Sequence, residues 1–378
     1  MDDHLSVLLR HYAALSPSSP ALLPSPPFPS PSVLSRAATQ QYLVDHFLAP
    51  TQPTNSVEED EDGARGWKKV FWRRVVKGIE AGFDQRRSEG DAEVEDEEVH
   101  PDILEAMVDF LSSGSGEGAP GVSTRRYYWG DLKQEPGEWQ VIRTREEGRL
   151  ISGGTTGLRT WQACIALSNH LLASPSILTS TSTILELGAG VGLLSLVSAR
   201  LLQPASGETE RRGKIVATDV DEQVLRMLEG NIALNDLSGL AEAKKLDWEL
   251  ASDPAAGHEA LEAWERETFG GGVRPEVLLG ADIVYDPSLA THLAATLAWL
   301  LRPAPSGASQ PQALIAGTIR NLSTWELFLS ECRARQLEVE PVELQAPAGK
   351  SGLVGAEGWE GEGEVRLVRI VAAAPPKQ

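Results

Sequence analysis

Four acids in this chain stand where a ligand-binding α/β fold would use them. Asp219 and Asp282 each follow a short apolar run, Asp247 follows Leu246 at the end of a further strand, and Glu186 lies inside an apolar run, just ahead of Gly188, Gly190 and Gly192. The run Ile184 to Leu187 reads as a strand, and Leu193, Leu194, Leu196 and Val197 resume at helical spacing after the last glycine. A strand that turns into a helix through glycines brings backbone N–H groups, here those of Gly188, Ala189 and Gly190, close to a ligand, where the helix N-terminus favours negative charge. The dinucleotide fingerprint G-x-G-x-x-G is not met, because Leu193 stands at its third glycine. The pattern is E-x-G-x-G-x-G.

Asp219 closes the run Lys214 to Thr218. A carboxylate there can accept both ribose hydroxyls of a nucleoside. It could instead cap the next helix, although Asp221 is also placed to do so. Asp247-Trp248 closes a further run. The acid can take an adenine amino group and the tryptophan can offer a flat apolar wall to the ring, or the tryptophan is simply one of ten packed in a core.

The glycine pattern resembles motif I of the class I, seven-strand, S-adenosylmethionine-dependent methyltransferases. That resemblance implies that Glu186 supports the loop and the methionine amino group. In methyl transfer a nucleophile must sit in line with a sulfonium, so the protein mainly orients an electron pair and excludes water. After the strand Val277 to Gly280 comes Asp282-Ile283-Val284-Tyr285, and not the N-P-P-[YF] of amide and DNA-base methyltransferases. An acid with a phenol three residues on suits a cationic amine, the carboxylate steering it and the ring narrowing the pocket. The alternative is an acid capping a helix with a tyrosine packed beneath it. A free lysine is neutral at pH 7 only at a cost of about 4.6 kcal/mol. With no histidine or cysteine in these motifs, the sulfonium charge and desolvation are expected to lower the amine pKa and water to take the proton, while Asp282 binds and orients.

The elements that must position these residues alternate. A hairpin is predicted over Tyr127 to Trp129 and Trp139 to Arg143, a helix over Gly157 to Ala173, then strands at 184–187, 214–218, up to 246–248, 277–280, 313–317, 338–343 and 365–371. Helices are predicted from Asp221, over 287–301 and over 323–335. Strands alternating with helices argue for a parallel, doubly wound sheet with ligands at the carboxyl ends of its strands. Before residue 120 the texture differs. Apolar stripes (Leu5, Leu8, Leu9, Tyr12; Trp67, Phe71, Val75, Ile79; Ile103, Met107, Phe110, Leu111) predict short packed helices, interrupted by the proline-rich stretch 17–31 and the acidic runs 58–62 and 91–98. Lys68, Lys69, Arg73, Arg74 and Lys77 form a basic face that is either solvated or used by a partner. Two domains are expected: a helical region over 1–120 and a catalytic domain over 121–378.

The formal charge of −20 argues against a nucleic-acid partner, which needs clustered Lys and Arg. Two cysteines far apart, without ligand spacing, predict neither a disulfide framework nor a metal site, and fit a reducing cytosol. The start, Met1-Asp2-Asp3-His4, lacks a secretory pattern, and no apolar run approaches a membrane span, so a cytoplasmic, membrane-free, monomeric protein is expected.

The box Gly154-Thr155-Thr156-Gly157-Leu158-Arg159-Thr160-Trp161, the glycine loop, Leu246-Asp247-Trp248, Asp282-Ile283-Val284-Tyr285 and Thr318-Ile319-Arg320-Asn321 together resemble the family 16 protein methyltransferases. Within them the chain is most similar to the elongation factor 2 lysine methyltransferases, which carry an extra N-terminal helical region. The resemblance covers residues 120 to 378. The early inserts and the glycine-rich stretch Gly349 to Gly363 have no counterpart in it. It implies a Rossmann-like seven-strand sheet and S-adenosyl-L-methionine as cofactor, lined by Trp161, the 188–190 backbone, Asp219, Trp248 and Ala281. It further implies that Asp282 and Tyr285 face a lysine of elongation factor 2. A catalytically inactive fold kept as an interaction module is the other class, and a family member with another protein substrate the nearer alternative. The intact glycine loop, acid and D-x-x-Y favour an enzyme, since a scaffold has no need of all three.

Overall fold

The computed structural model describes residues 3–16, 20–48, 61–112, 122–131, 134, 138–147, 156–178, 183–203, 213–253, 256–270, 274–302, 310–347, 350–355 and 363–373. In chain order the elements are α1 (Asp3–Ala14), α2 (Pro31–Leu34), α3 (Ala37–Leu43), α4 (Glu61–Ser88), α5 (Pro101–Ser112), β1 (Val122–Asp131), β2 (Gln140–Glu147), α6 (Gln162–Ala173), β3 (Thr183–Leu187), α7 (Leu193–Leu202) and β4 (Lys214–Asp219). They continue with α8 (Glu222–Leu234), β5 (Ala241–Lys245), α9 (Ala256–Phe269), β6 (Val277–Ala281), α10 (Pro287–Leu300), β7 (Gln312–Thr318), α11 (Leu322–Ala334), β8 (Leu337–Val342), β9 (Lys350–Val354) and β10 (Val365–Ala372). The chain divides into two compact units, 1–141 with 348–358, and 142–347 with 359–378. The division thus falls later than residue 120, and the first unit takes in a segment from near the C-terminus.

In the first unit two of the predicted stripes are core, while of the third Ile103 is buried, Met107 and Phe110 are partly buried and Leu111 is exposed. Leu5, Leu8, Leu9 and Tyr12 of α1 are buried, as are Trp67, Phe71, Val75 and Ile79 at successive turns of α4. Tyr12 accepts the Trp72 indole N–H at 3.1 Å, and burial pushes its hydroxyl up to about 12. Two of the five residues of the expected basic face are used internally. Arg74 donates to the carbonyls of Pro20 and Leu23 and lies 3.8 Å over the Phe28 ring, and Lys68 sits over Tyr12, while Arg73 and Lys77 are exposed. The acidic stretch 91–98 is not a solvated run either, since Asp91 and Glu97 both pair with Arg86 at 2.8 and 2.5 Å. Of the other run, 58–60 lie outside the described residues. Strand β9, from within the glycine-rich stretch, pairs antiparallel with β1, Tyr128 opposite Val354 and Asp131 opposite Lys350. The Arg10 guanidinium reaches the carbonyls of Gly130 and Asp131 at the end of β1.

The second unit holds a seven-stranded sheet in the order β5-β4-β3-β6-β7-β10-β8. The first five strands of that order run parallel, and β10 is antiparallel to both β7 and β8. The chain builds outward from β3 in one direction through β4 and β5, then restarts on its other side with β6 and β7. With right-handed crossovers this reversal opens a crevice at the carboxyl ends of β3 and β6. Buried aliphatics fill the sheet and its helices, among them Leu185, Leu187, Leu278, Leu293, Leu297, Ile315 and Phe328. Two asparagines, one in α8 and one just after it, do a strand's work. Asn231 accepts from the Arg145 N–H and donates to the Arg145 carbonyl, and Asn235, one turn later, does the same at Arg143 of β2. Helix α6 starts at Gln162, five residues past the predicted Gly157, and α9 has no counterpart among the predicted elements. No described helix is long and apolar enough to cross a membrane.

Candidate active site

The eleven residues singled out by sequence, Trp161, Glu186, Gly188, Ala189, Gly190, Asp219, Asp247, Trp248, Ala281, Asp282 and Tyr285, all line one cavity of about 440 Å³ at the crevice. Its floor is the glycine loop. Ala189 donates its N–H to the Thr218 carbonyl, which ties the loop to the end of β4, and Gly190 donates to Oδ2 of Asp219 at 3.2 Å. The backbone of Gly188 and Gly190 is left-handed, with φ of +62° and +56°. A Cβ on Gly188 would meet Ile283 at 2.7 Å, and one on Gly190 the Gly157 carbonyl at 3.0 Å. Glycine is needed at both positions for space as well as for conformation.

Glu186 is buried beneath this loop and accepts a hydrogen bond from the Ser195 hydroxyl of α7. Burial pushes its carboxyl up to about 8, with Asp219 adding to the rise. Asp219 is raised by burial too, against three backbone N–H groups, of Asp221, Gly190 and Val220, that favour its charged form. Capping of α8 falls to Asp221, whose carboxylate accepts from Gln223 and Val224, so the other Asp219 face is left toward the cavity. Asp247 accepts from the Glu249 N–H and so starts a short helical turn that turns Trp248 into the cavity wall.

Asp282 is the most heavily engaged side chain of the site. Its carboxylate, 5% exposed, accepts from the Ala163 N–H at 2.9 Å, the Thr318 N–H at 2.8 Å and the Thr318 hydroxyl at 3.0 Å, and Arg320 lies at 3.5 Å. Trp161, the residue before α6, makes no side-chain cap. Asp282, just past the end of β6 and left-handed at φ +56°, caps that helix instead. This carboxylate therefore holds protein donors together, which departs from the expectation of one that steers an amine. Tyr285 is 56% exposed. Partial burial raises its hydroxyl pKa, helped by Asp219 and Asp286 and offset by a hydrogen bond with Thr156.

Several neighbours carry no single-residue sequence signal. Trp161 donates its indole N–H to the Thr156 carbonyl at 3.0 Å and lies 4.9 Å from the Arg320 guanidinium, so the two family boxes meet in space. Gly154 and Thr155 of the first box lie outside the described residues. Cys164 lines the cavity, its thiol pushed well up by burial and by Glu186, Glu146 and Asp282. Among the described lining residues there is no histidine, and the acids Asp219, Asp221, Asp247, Glu249 and Asp282 outnumber the one base, Arg159, so the walls favour a cationic ligand. No cluster of metal-binding residues occurs among the described residues.

The family model for lysine methyltransferases matches residues 145–328. The protein-lysine N-methyltransferase EFM3 of Chaetomium thermophilum is 32% identical over 326 residues, 85% of this chain and 86% of that protein. The human protein-lysine N-methyltransferase EEF2KMT is 31% identical over 209 residues, 52% of this chain and 56% of that one. Mouse methyltransferase-like protein 22 is 29% identical over 255 residues, 65% of this chain and 53% of that one. The acid-lined crevice, the left-handed glycine loop over Asp219 and this likeness across most of the chain converge: the chain belongs to the lysine methyltransferase family and is an S-adenosylmethionine-dependent protein-lysine N-methyltransferase.

Proposed function

We propose that the crevice holds S-adenosylmethionine and that the protein lysine it methylates lies on translation elongation factor 2. The observation that carries the site is the bond from the Gly190 N–H to Asp219, which sets a backbone cradle and a ribose-accepting carboxylate side by side. The fit is good: Gly188 and Gly190 leave open the space that a Cβ would fill, Trp248 offers a flat wall, and Asp247 stands at its edge. When bound, the cofactor supplies an electrophilic methyl group on a sulfonium. Asp219 offers accepting oxygens to its ribose, and Glu186, buried beneath the glycine loop and bonded to Ser195, supports that loop. Trp161, fixed through Thr156 and stacked by Arg320, closes the opposite wall. Asp282 holds the end of β7 and the start of α6 in register around the reacting centre, and Tyr285, half in solvent at the mouth, narrows the entry for a lysine side chain. No histidine lines the described cavity, and Glu186, the lining carboxyl pushed up to about 8, is held beneath the glycine loop by the Ser195 hydroxyl, so the ammonium proton leaves to water as the amine is desolvated.

The target rests on the human relative, whose name designates elongation factor 2. The test is labelled methyl transfer from S-adenosylmethionine into a lysate of cells lacking this protein, with mass spectrometry of the labelled band. A methylated elongation factor 2 lysine, lost with the protein and restored with it, is the expected result. Identical elongation factor 2 peptides in both cells would leave a lysine methyltransferase with a different protein target.

A further inference from the structure

Strand β2 carries a buried carboxylate that the chemistry above does not use. Glu146, 1% exposed, accepts from the Thr144 hydroxyl at 2.6 Å, the Thr160 hydroxyl at 2.7 Å and the Thr160 N–H at 3.1 Å. Thr160 directly precedes Trp161, and both line the cavity. On the other side, the neighbour of Glu146 in β2, Arg145, has its N–H and carbonyl held by Asn231, whose amide also donates to the Val191 carbonyl of the glycine loop at 2.9 Å. A continuous polar chain thus runs from Val191 through Asn231, the Arg145 backbone and Glu146 to Thr160.

We propose that Glu146 is a positioning residue for the cofactor, setting the spacing between the Thr160-Trp161 wall and the glycine loop through this chain. The proposal rests on the reading of the crevice as the cofactor site. The spacing has little slack, because a Cβ at Gly190 would already touch the Gly157 carbonyl at 3.0 Å, so the two walls are near contact at that point. Trp161 is itself held by the Thr156 carbonyl and by Arg320, and Glu146 adds the hold on the residue before it. A carboxylate suits the task because it only accepts, and the Thr144 hydroxyl, the Thr160 hydroxyl and the Thr160 N–H all donate to it. A glutamine in its place would set an N–H₂ against the Thr160 N–H or a threonine hydroxyl. Thr144 shares the carboxylate but lies outside the cavity lining, so it separates holding Glu146 from holding the wall.

The test is calorimetric binding of S-adenosylhomocysteine to the full chain and to Glu146→Gln, Thr160→Val, Thr144→Val and Gly190→Arg, with steady-state kinetics on the same set. Glu146→Gln and Thr160→Val are expected to raise Kd and the cofactor KM about tenfold with little change in kcat, while Thr144→Val stays within about twofold. A merely structural role would lower melting temperature and active fraction in all three without moving KM. Wild-type affinity in Glu146→Gln and Thr160→Val, or an equal loss in Thr144→Val, would overturn the proposal. If Glu146→Gln does not fold, the comparison of Thr160→Val with Thr144→Val decides. Gly190→Arg separates the two failures: binding that survives it sinks the cofactor-site reading and the proposal with it, whereas binding lost there but intact in Thr160→Val sinks the proposal only.

Discussion

Asn231 pairs with the backbone of Arg145 as a neighbouring strand would, accepting at 2.7 Å and donating at 3.2 Å. Its Nδ2 also reaches the Val191 carbonyl, and the side chain is fully buried. Asn231→Ala orphans an N–H and two carbonyls, at about 1–3 kcal/mol for each group left dry. A loss of about 3 kcal/mol or more in denaturant unfolding, at unchanged m value, is expected. A loss below about 1 kcal/mol would mean that water replaces the amide.

Asp282→Ala is expected to be worse for folding than for cofactor contact. It leaves the Ala163 and Thr318 N–H groups without an acceptor and places alanine at a φ of +56°, where asparagine and aspartate are better tolerated. The expected cost is about 3 kcal/mol or more. Asp282→Asn keeps an accepting oxygen and the backbone preference, so it should lose less stability. The discriminating readout is the KM of Asp282→Asn for the protein substrate. A KM close to wild type supports the clamp, and a steep rise in KM with stability intact would restore the steering role.

Glu186 makes stability fall with pH. Its carboxyl titrates near 4.5 when unfolded and near 8 when folded, because burial disfavours the charge. Between those values the folded chain holds a proton that the unfolded chain has released. The stabilisation is complete below pH 4.5, is lost as pH rises toward 8, and levels off above. The span is about 5 kcal/mol, and Asp219, also raised, adds in the same direction. Unfolding free energies of the cofactor-free protein at pH 5, 6.5 and 8 should decline, and Glu186→Gln should flatten most of the decline. A slope of equal steepness in that variant would assign it to other groups.

Gly190→Arg is expected to abolish S-adenosylhomocysteine binding, since the first side-chain atom already reaches the Gly157 carbonyl and the rest must enter the cavity. Calorimetry on folded variant checks it, with undiminished affinity as the contrary result.

What could be read from sequence was set by short-range pattern. Ile184 to Gly192 announces a strand, a turn and a helix because apolar residues and glycines are all local, and the acids at strand ends follow once the strands are placed. The same logic stopped short at Gly157 to Trp161, which looks helical. There Glu146 and Asp282, distant in sequence, take the Thr160 and Ala163 N–H groups, and the helix begins only at Gln162. Glu146 itself lies in the polar run Arg143 to Glu147 and offers no hint of burial. Trp67, in the stripe Trp67, Phe71, Val75 and Ile79, is legible as core because its helical spacing is local, and it is 7% exposed and stacked on Phe71. Strand β9 was hidden by glycines, because what makes it a strand is the edge of β1 and not its own residues.

The pairing of β9 with β1 bears on how the protein is made. Synthesis proceeds from the N-terminus, so α1, α4 and β1 emerge early, but the strand that completes their unit is translated only after the whole run from β3 to β8. Closing a loop of that length is slow relative to local contacts, and until it closes β1 presents an open hydrogen-bonding edge. Growing chains of this enzyme should therefore carry an unprotected strand through most of translation, which makes the nascent first unit a natural client for chaperones at the ribosome.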